Sequence, residues 1–185
     1  MKRAAHLALV AIVAVSAIAS ARADDGLQLI EQKIKAGLIY NFLKYTQWPA
    51  GSPRQSGNLS VCFFGGDPFE GNLQPMSGRT VNERTIEVRG VASLAELKSC
   101  ALVIVHSAKR SEWPQIASSL GGQDIITVSD FDGFADAGGM IEFTHVGNRV
   151  GVKINEEALS ANHLVVQDRL LKLADAVRSA PSAPR

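Results

Sequence analysis

Between residues 58 and 128, short apolar runs alternate with stretches of helical pattern, and this alternation limits the fold more than any other feature of the sequence. The run from Ala101 to His106 (ALVIVH) is apolar without alternation, as expected for a central strand that is covered on both faces. Leu59 to Phe64, Thr85 to Val88 and Asp124 to Val128 predict three further strands. Strands that alternate with helices in this way indicate an α/β domain.

The helices are predicted from their caps and their stop signals. Ser93 is suited to cap a short helix, and Glu112 to Leu120 predicts a longer one that ends at two glycines. Asn155 and Asp168 are expected to cap two further helices on the C-terminal side.

A β-hairpin is predicted near the C-terminal side, around a two-residue turn at Gly147 and Asn148. The expected register pairs Val146 with Arg149, His145 with Val150, Phe143 with Val152 and Ile141 with Ile154. This register brings the large apolar residues to one face, and it pairs Glu142 with Lys153 as a cross-strand ion pair on the other. With the hairpin added, we predict a single domain with a mixed β-sheet and helices on both faces.

The first 23 residues resemble a cleaved signal peptide rather than part of the fold. Lys2 and Arg3 form a basic start, Leu7 to Ile18 is an apolar run, and Ala21 to Ala23 has the A-x-A pattern of a cleavage site. The alternative is an uncleaved anchor, but the run is shorter than the roughly 20 residues of a membrane span. We expect export and cleavage after Ala23.

Cleavage would leave 162 of the 185 residues, which is the size of one domain. It would also remove three of the 19 basic residues, so that 16 basic residues face 18 acidic ones and the formal charge falls from +1 to −2. The remaining sequence has no basic block. Nucleic acid is therefore not an expected partner.

Two cysteines, Cys62 and Cys100, lie in the part of the chain that export would carry into an oxidising compartment. An even pair in an exported protein favours a disulfide. The alternative is two separate buried thiols.

The sequence has no motif that predicts catalysis, a cofactor or a metal site. No serine lies in a nucleophile turn, and the glycines after Phe64 match neither a P-loop nor a dinucleotide-binding fingerprint. His106, His145 and His163 do not have the spacing of metal ligands, and the acidic loop from Asp130 to Asp136 lacks the pattern of a calcium loop. We therefore expect a protein that acts by binding and not as an enzyme.

The segment KAGLIYNFLKYTQWP, residues 35–49, predicts a helix that is apolar on nearly all sides. One stripe has the spacing of a core-facing helix, and its members are Leu27, Ile30, Ile34, Leu38, Phe42 and Tyr45. Tyr40 and Leu43 lie outside this stripe, and Trp48 follows it. These three residues need a cover, either from the domain itself or from another protein.

The same segment resembles the K-A-x-x-I-Y-N-F-x-K-F-x-x-W-P stretch of YfiR-like periplasmic proteins. Two further stretches resemble the family. The hairpin of that family is similar to G-G-M-I-E-F at 138–143 followed by R-V-G-V-K-I-N at 149–155, and its closing helix is similar to R-L-L-K-L-A at 169–174. The likeness covers a YfiR-like domain at residues 24–178 and leaves 179–185 as a disordered tail. Gly151, Gln167 and Asp168 depart from the residue types usual in the family.

The resemblance implies a periplasmic repressor that binds the periplasmic domain of an inner-membrane diguanylate cyclase and thereby lowers cyclic di-GMP and biofilm formation. It also implies that an outer-membrane lipoprotein can sequester the repressor, and that Cys62 and Cys100 match the cysteine pair of the family. On this reading the candidate partner contacts are Tyr40, Leu43, Trp48, His145 and Arg149.

An alternative is a periplasmic ligand-binding module without a cyclase partner. In this interpretation, a small molecule would be bound by aromatic residues together with the loop from Asp130 to Phe134. The two phenylalanines of this loop are expected to be exposed. The sequence leaves the oligomeric state open, and a homodimer is among the options.

Overall fold

The computed structural model describes residues 26–147 and 149–172, so the predicted signal peptide, Asn148 and the C-terminal tail lie outside the described residues. The helices are α1 (26–45), α2 (Leu94–Leu97), α3 (Trp113–Leu120), α4 (Glu156–Ala161) and α5 (168–172). The strands are β1 (Thr46–Gln47), β2 (Leu59–Phe64), β3 (Thr80–Val81), β4 (Arg84–Val91), β5 (Leu102–Val105), β6 (Ile126–Ser129), β7 (Ile141–Val146), β8 (Arg149–Ile154) and β9 (Val165–Val166).

Seven strands form one mixed sheet in the order β3-β4-β2-β5-β6-β7-β8. The five inner strands are parallel, and β3 and β8 add antiparallel edges. Strand β5 is fully buried and lies at the centre of the sheet, which confirms the prediction from its uninterrupted apolar run. Separately, β1 and β9 pair antiparallel at the ends of α1 and α4.

The side chains of the central strands alternate between two cores on opposite faces of the sheet. Leu102 and Ile104 belong to the core under α1, whereas Val103 and Val105 belong to the core under α2 and α3. Helices therefore cover both faces, as predicted. Ser93 and Asn155 cap α2 and α4 by accepting hydrogen bonds from backbone N–H groups, while Asp168 is already the first residue of α5.

The hairpin of β7 and β8 has the predicted register from Ile141 with Ile154 to Val146 with Arg149. The predicted ion pair between Glu142 and Lys153 is wrong, although the two residues are register partners. Glu142 is only 4% exposed and accepts hydrogen bonds from two backbone N–H groups of the loop after β6. Lys153 instead contacts Asp136, with 2.6 Å between Nζ and Oδ1.

The loop after β6 also differs from its prediction, because its two phenylalanines are buried. Phe131 is 6% exposed and Phe134 is fully buried, with the Phe134 ring centroid 4.4 Å from that of Trp113 on α3. Gly139 leaves room for this ring, since a Cβ there would lie 2.3 Å from Phe134. The polar turn residues of this loop gave no sign of the hydrophobic contact, because it forms only when α3 packs against the loop.

Cys62 of β2 and Cys100, which precedes β5, form a disulfide, as predicted, and both are fully buried. The buried guanidinium of Arg54 donates a hydrogen bond from Nε to the carbonyl oxygen of Cys100 at 3.1 Å and forms an ion pair with Asp124 at 2.6 Å. The disulfide is therefore part of the core and is linked to the segment after β1.

Candidate functional site

The N-terminal half of helix α1 packs on the sheet with a different side from the one that its apolar stripe predicts, whereas Phe42, in the C-terminal half of the stripe, is buried in the core as predicted. Ile39, Phe42 and Leu43 are at most 1% exposed, whereas Leu27, Ile30 and Ile34 are 63%, 57% and 47% exposed. The prediction that these three face the core is therefore wrong. The helix is apolar on more than one side, and hydrophobic periodicity does not determine which side meets the sheet.

In the first turns of α1, the side that is buried is polar. Lys35 is 3% exposed, and its Nζ lies 2.7 Å from Glu31 Oε1 and 3.6 Å from Asp130 Oδ2. Gln32 is also buried, at 8% exposed. Because the two carboxylates compensate the charge of Lys35, it can lie under the helix while the apolar stripe faces outward.

The outward stripe and the hairpin form an open groove of about 380 Å³. Leu27, Ile30 and Ile34 line its α1 side, and Arg149 and Val150 line its β8 side. We call this the α1–hairpin groove. The apolar stripe follows the spacing i, i+3, i+7, so its members lie along one face of the helix and form a continuous wall.

One hydrogen-bond network joins the two sides of the α1–hairpin groove. His145 Nε2 lies 2.9 Å from Glu31 Oε1, the same oxygen that Lys35 contacts. Burial by itself would raise the pKa of Glu31, but the hydrogen bonds from Lys35 and His145 and the positive charges there hold this pKa below its usual value. Glu31 is thus a charged acceptor that fixes the hairpin tip against α1.

Arg149 contributes to the groove a charge that no described residue compensates by an ion pair. It is exposed and belongs to no ion pair among residues 26–147 and 149–172. The groove therefore combines an apolar wall with an unpaired guanidinium. Such a surface is suited to bind a protein segment that presents apolar side chains beside a carboxylate.

The structure brings only two of the five predicted contact residues together, namely His145 and Arg149. Leu43 is fully buried and Trp48 is 7% exposed, with Trp48 Nε1 donating to the carbonyl oxygen of Asp124 at 3.0 Å. Of the two covers that the sequence left open for Leu43 and Trp48, the domain itself provides one, so neither side chain is exposed on this surface. Tyr40 is half-buried, and its hydroxyl lies 3.4 Å from the carbonyl oxygen of Thr80.

Sequence reasoning missed the contribution of Leu27, Ile30 and Ile34 to this surface. Their helical spacing was visible in the sequence, but it is the same for a core and for an exposed binding face. A contact of His145, Arg149 or Tyr40 with a partner stays a prediction.

In the described part of the chain, no group of three or more His, Cys, Asp or Glu side chains is placed to hold a metal ion. Across residues 26–147 and 149–172, no helix has the length and apolar character needed to cross a membrane.

The comparison with curated proteins found no match. The YfiR/HmsC-like family model matches residues 32–175. This range includes α1 from its second turn onward, the whole seven-stranded sheet and the hairpin that borders the groove. The protein therefore belongs to the YfiR/HmsC-like family.

Proposed function

We propose that this protein represses an inner-membrane diguanylate cyclase by binding its periplasmic domain, and so lowers cyclic di-GMP and biofilm formation. Its family consists of periplasmic regulators that act through protein–protein interaction. The observation that carries the proposal is the α1–hairpin groove, which exposes a continuous apolar wall beside Arg149, a residue without an ion-pair partner in the described part of the chain. Surfaces of this kind mark interaction sites.

The mechanism is a shift of population between two states of the cyclase. The repressor binds the inactive form more tightly than the active form, and this difference in affinity sets the degree of repression. Charge complementarity points to a carboxylate of the cyclase near Arg149, next to apolar side chains that cover Ile30 and Ile34. An outer-membrane lipoprotein that competes for the repressor would relieve repression by mass action.

Export belongs to the same proposal, with cleavage after Ala23. Intact mass measurement of the protein recovered from the periplasm tests it. A chain that starts at Asp24 agrees with the proposal, and a chain that retains Met1 contradicts it.

The function is tested by measuring cellular cyclic di-GMP in a strain that lacks this chain and in complemented strains. We expect a rise on deletion that the wild-type chain reverses. The variant Ile30→Glu places a charge on the groove wall and should leave cyclic di-GMP at the deletion level. Leu29→Glu is the matched control, because Leu29 is 45% exposed on the same helix but does not line the groove.

Immunoblots of the periplasm must give equal amounts of both variants. An unchanged level of cyclic di-GMP on deletion contradicts the repressor function. Full repression by Ile30→Glu contradicts the groove as the contact surface.

The alternative function, a ligand-binding module, was expected to bind its ligand with the loop from Asp130 to Phe134. Phe131 and Phe134 of this loop are buried in the core under α3, so they do not line a binding site for a small molecule.

A further inference from the structure

A second cleft, of about 470 Å³, lies between β1 and the turn that joins β3 to β4. Its lining is polar apart from one indole, and it consists of Thr46, Gln47, Trp48, Gln55, Asn82 and Arg84. We call it the Arg84 cleft. It shares no lining residue with the α1–hairpin groove.

Among the described residues, Arg84 is the only charged side chain that lines this cleft, and two contacts hold it in position. The guanidinium carbon lies 4.9 Å from the centroid of the Trp48 ring, and Nη1 donates a hydrogen bond to the carbonyl oxygen of Arg54. Burial lowers the pKa of Arg84. Arg84 belongs to no ion pair in the part of the chain that the structure describes, so its charge there is uncompensated.

The amide side chains of the Arg84 cleft offer acceptors. The amide nitrogen of Gln55 donates to the carbonyl oxygen of Trp48 at 3.0 Å, and that of Asn82 donates to the carbonyl oxygen of Lys44 at 3.1 Å. Neither amide oxygen has a hydrogen-bond donor among the described residues, so each can accept a hydrogen bond from a ligand. Asn82 is held in place by a two-residue turn in which it and Glu83 have positive φ angles of 48° and 67°.

Thr46 adds a polar group that the fold leaves without a partner. It is 3% exposed, and its Oγ1 has no hydrogen-bond partner among the described residues. Buried hydroxyl groups are usually paired, and an unpaired one calls for an explanation. Thr46 lines the cleft, but its Oγ1 is itself closed to solvent. The guanidinium of Arg84, which has no ion-pair partner among the described residues, is what gives the cleft the features of a binding site.

We propose that the Arg84 cleft binds a small hydroxycarboxylate. The free N–H groups of Arg84 would donate two parallel hydrogen bonds to the carboxylate, which is the geometry that guanidinium favours. The hydroxyl of the ligand would donate one hydrogen bond, to the amide oxygen of either Asn82 or Gln55. An apolar ligand would leave these polar groups unpaired, at a cost in affinity.

The test follows the indole N–H signals of ¹⁵N-labelled protein during titration with L-malate. Trp48 lines the cleft, whereas Trp113 lies in the core under α3 and serves as the internal control. We expect a saturable shift of the Trp48 signal with the Trp113 signal unchanged. Succinate, which lacks the hydroxyl, should bind more weakly, and inorganic phosphate should not reproduce the effect.

Two variants locate the site. Arg84→Gln removes the charge-assisted hydrogen bonds and should weaken L-malate binding about tenfold or more. Gln47→Glu keeps Arg84 and its contacts with Trp48 and Arg54 but adds a repelling carboxylate to the lining, and it should also weaken binding. Arg79→Gln is the matched control, because it removes an exposed arginine outside the cleft.

The proposal fails if L-malate gives no saturable shift of the Trp48 signal, if phosphate binds equally well, or if Gln47→Glu leaves the affinity for L-malate unchanged. The Gln47 variant keeps the test valid even if Arg84→Gln does not fold. The result is independent of cyclic di-GMP levels, so this proposal and the proposed function stand or fall separately.

Discussion

Reduction of the disulfide between Cys62 and Cys100 should destabilise the protein by a predictable amount. The bridge joins residues 38 apart in the sequence. Loop-closure entropy for a loop of this length gives about 4 kcal/mol at 25 °C. For a domain of this size each kcal/mol corresponds to about 2–4 °C, so we expect the melting temperature to fall by about 8–16 °C if the entropy of the unfolded chain is the whole effect.

Urea titrations with and without dithiothreitol measure this difference. Both sulfur atoms are inaccessible to solvent in the folded protein, so the reduced sample has to be equilibrated through the unfolded state. Thiol trapping and mass measurement confirm that both cysteines are reduced. The slope of the transition should also steepen, because the unfolded chain without the bridge exposes more surface. A loss below about 1 kcal/mol in fully reduced protein would refute the loop-entropy reasoning.

Two more predictions follow from the side of α1 that is buried and from the network around it. Leu43→Ala should lower the free energy of unfolding by about 2–5 kcal/mol, because Leu43 is fully buried. Leu27→Ala is the control: Leu27 is 63% exposed, so its replacement should change the free energy of unfolding by less than about 0.5 kcal/mol. Equal losses of the two variants in chemical denaturation would contradict the observed packing. Because the pKa of Glu31 is lower in the folded protein than the ordinary value of 4.5, the ionised carboxylate stabilises the fold at pH values above 4.5. This stabilisation should disappear as the pH falls through the pKa of the folded state. Glu31→Gln should therefore be less stable than the wild type at pH 6 and equally stable in strong acid, and parallel curves of stability against pH for the two proteins would contradict the role of Glu31.

The candidate site could be predicted only in part. The register of the hairpin follows from its turn and from the alternation of its side chains, so His145 and Arg149 could be placed at the tip from sequence. The residues of α1 that face them across the groove could not be predicted. The stripe that contains Ile30 has the period of a core-facing helix, and only the packing of Lys35 beneath α1 decides that the N-terminal half of this stripe faces outward.

The sequence by itself determined the class of fold, the register of the hairpin and the caps at Ser93 and Asn155, because each depends on the residue types of a short segment. The tertiary structure decided which side of α1 is buried, how Phe134 enters the second core, and how Arg84 comes to lie over Trp48. These features depend on contacts between segments far apart in the chain. Local periodicity carries no information about such contacts, because the same spacing fits a core and a surface equally well.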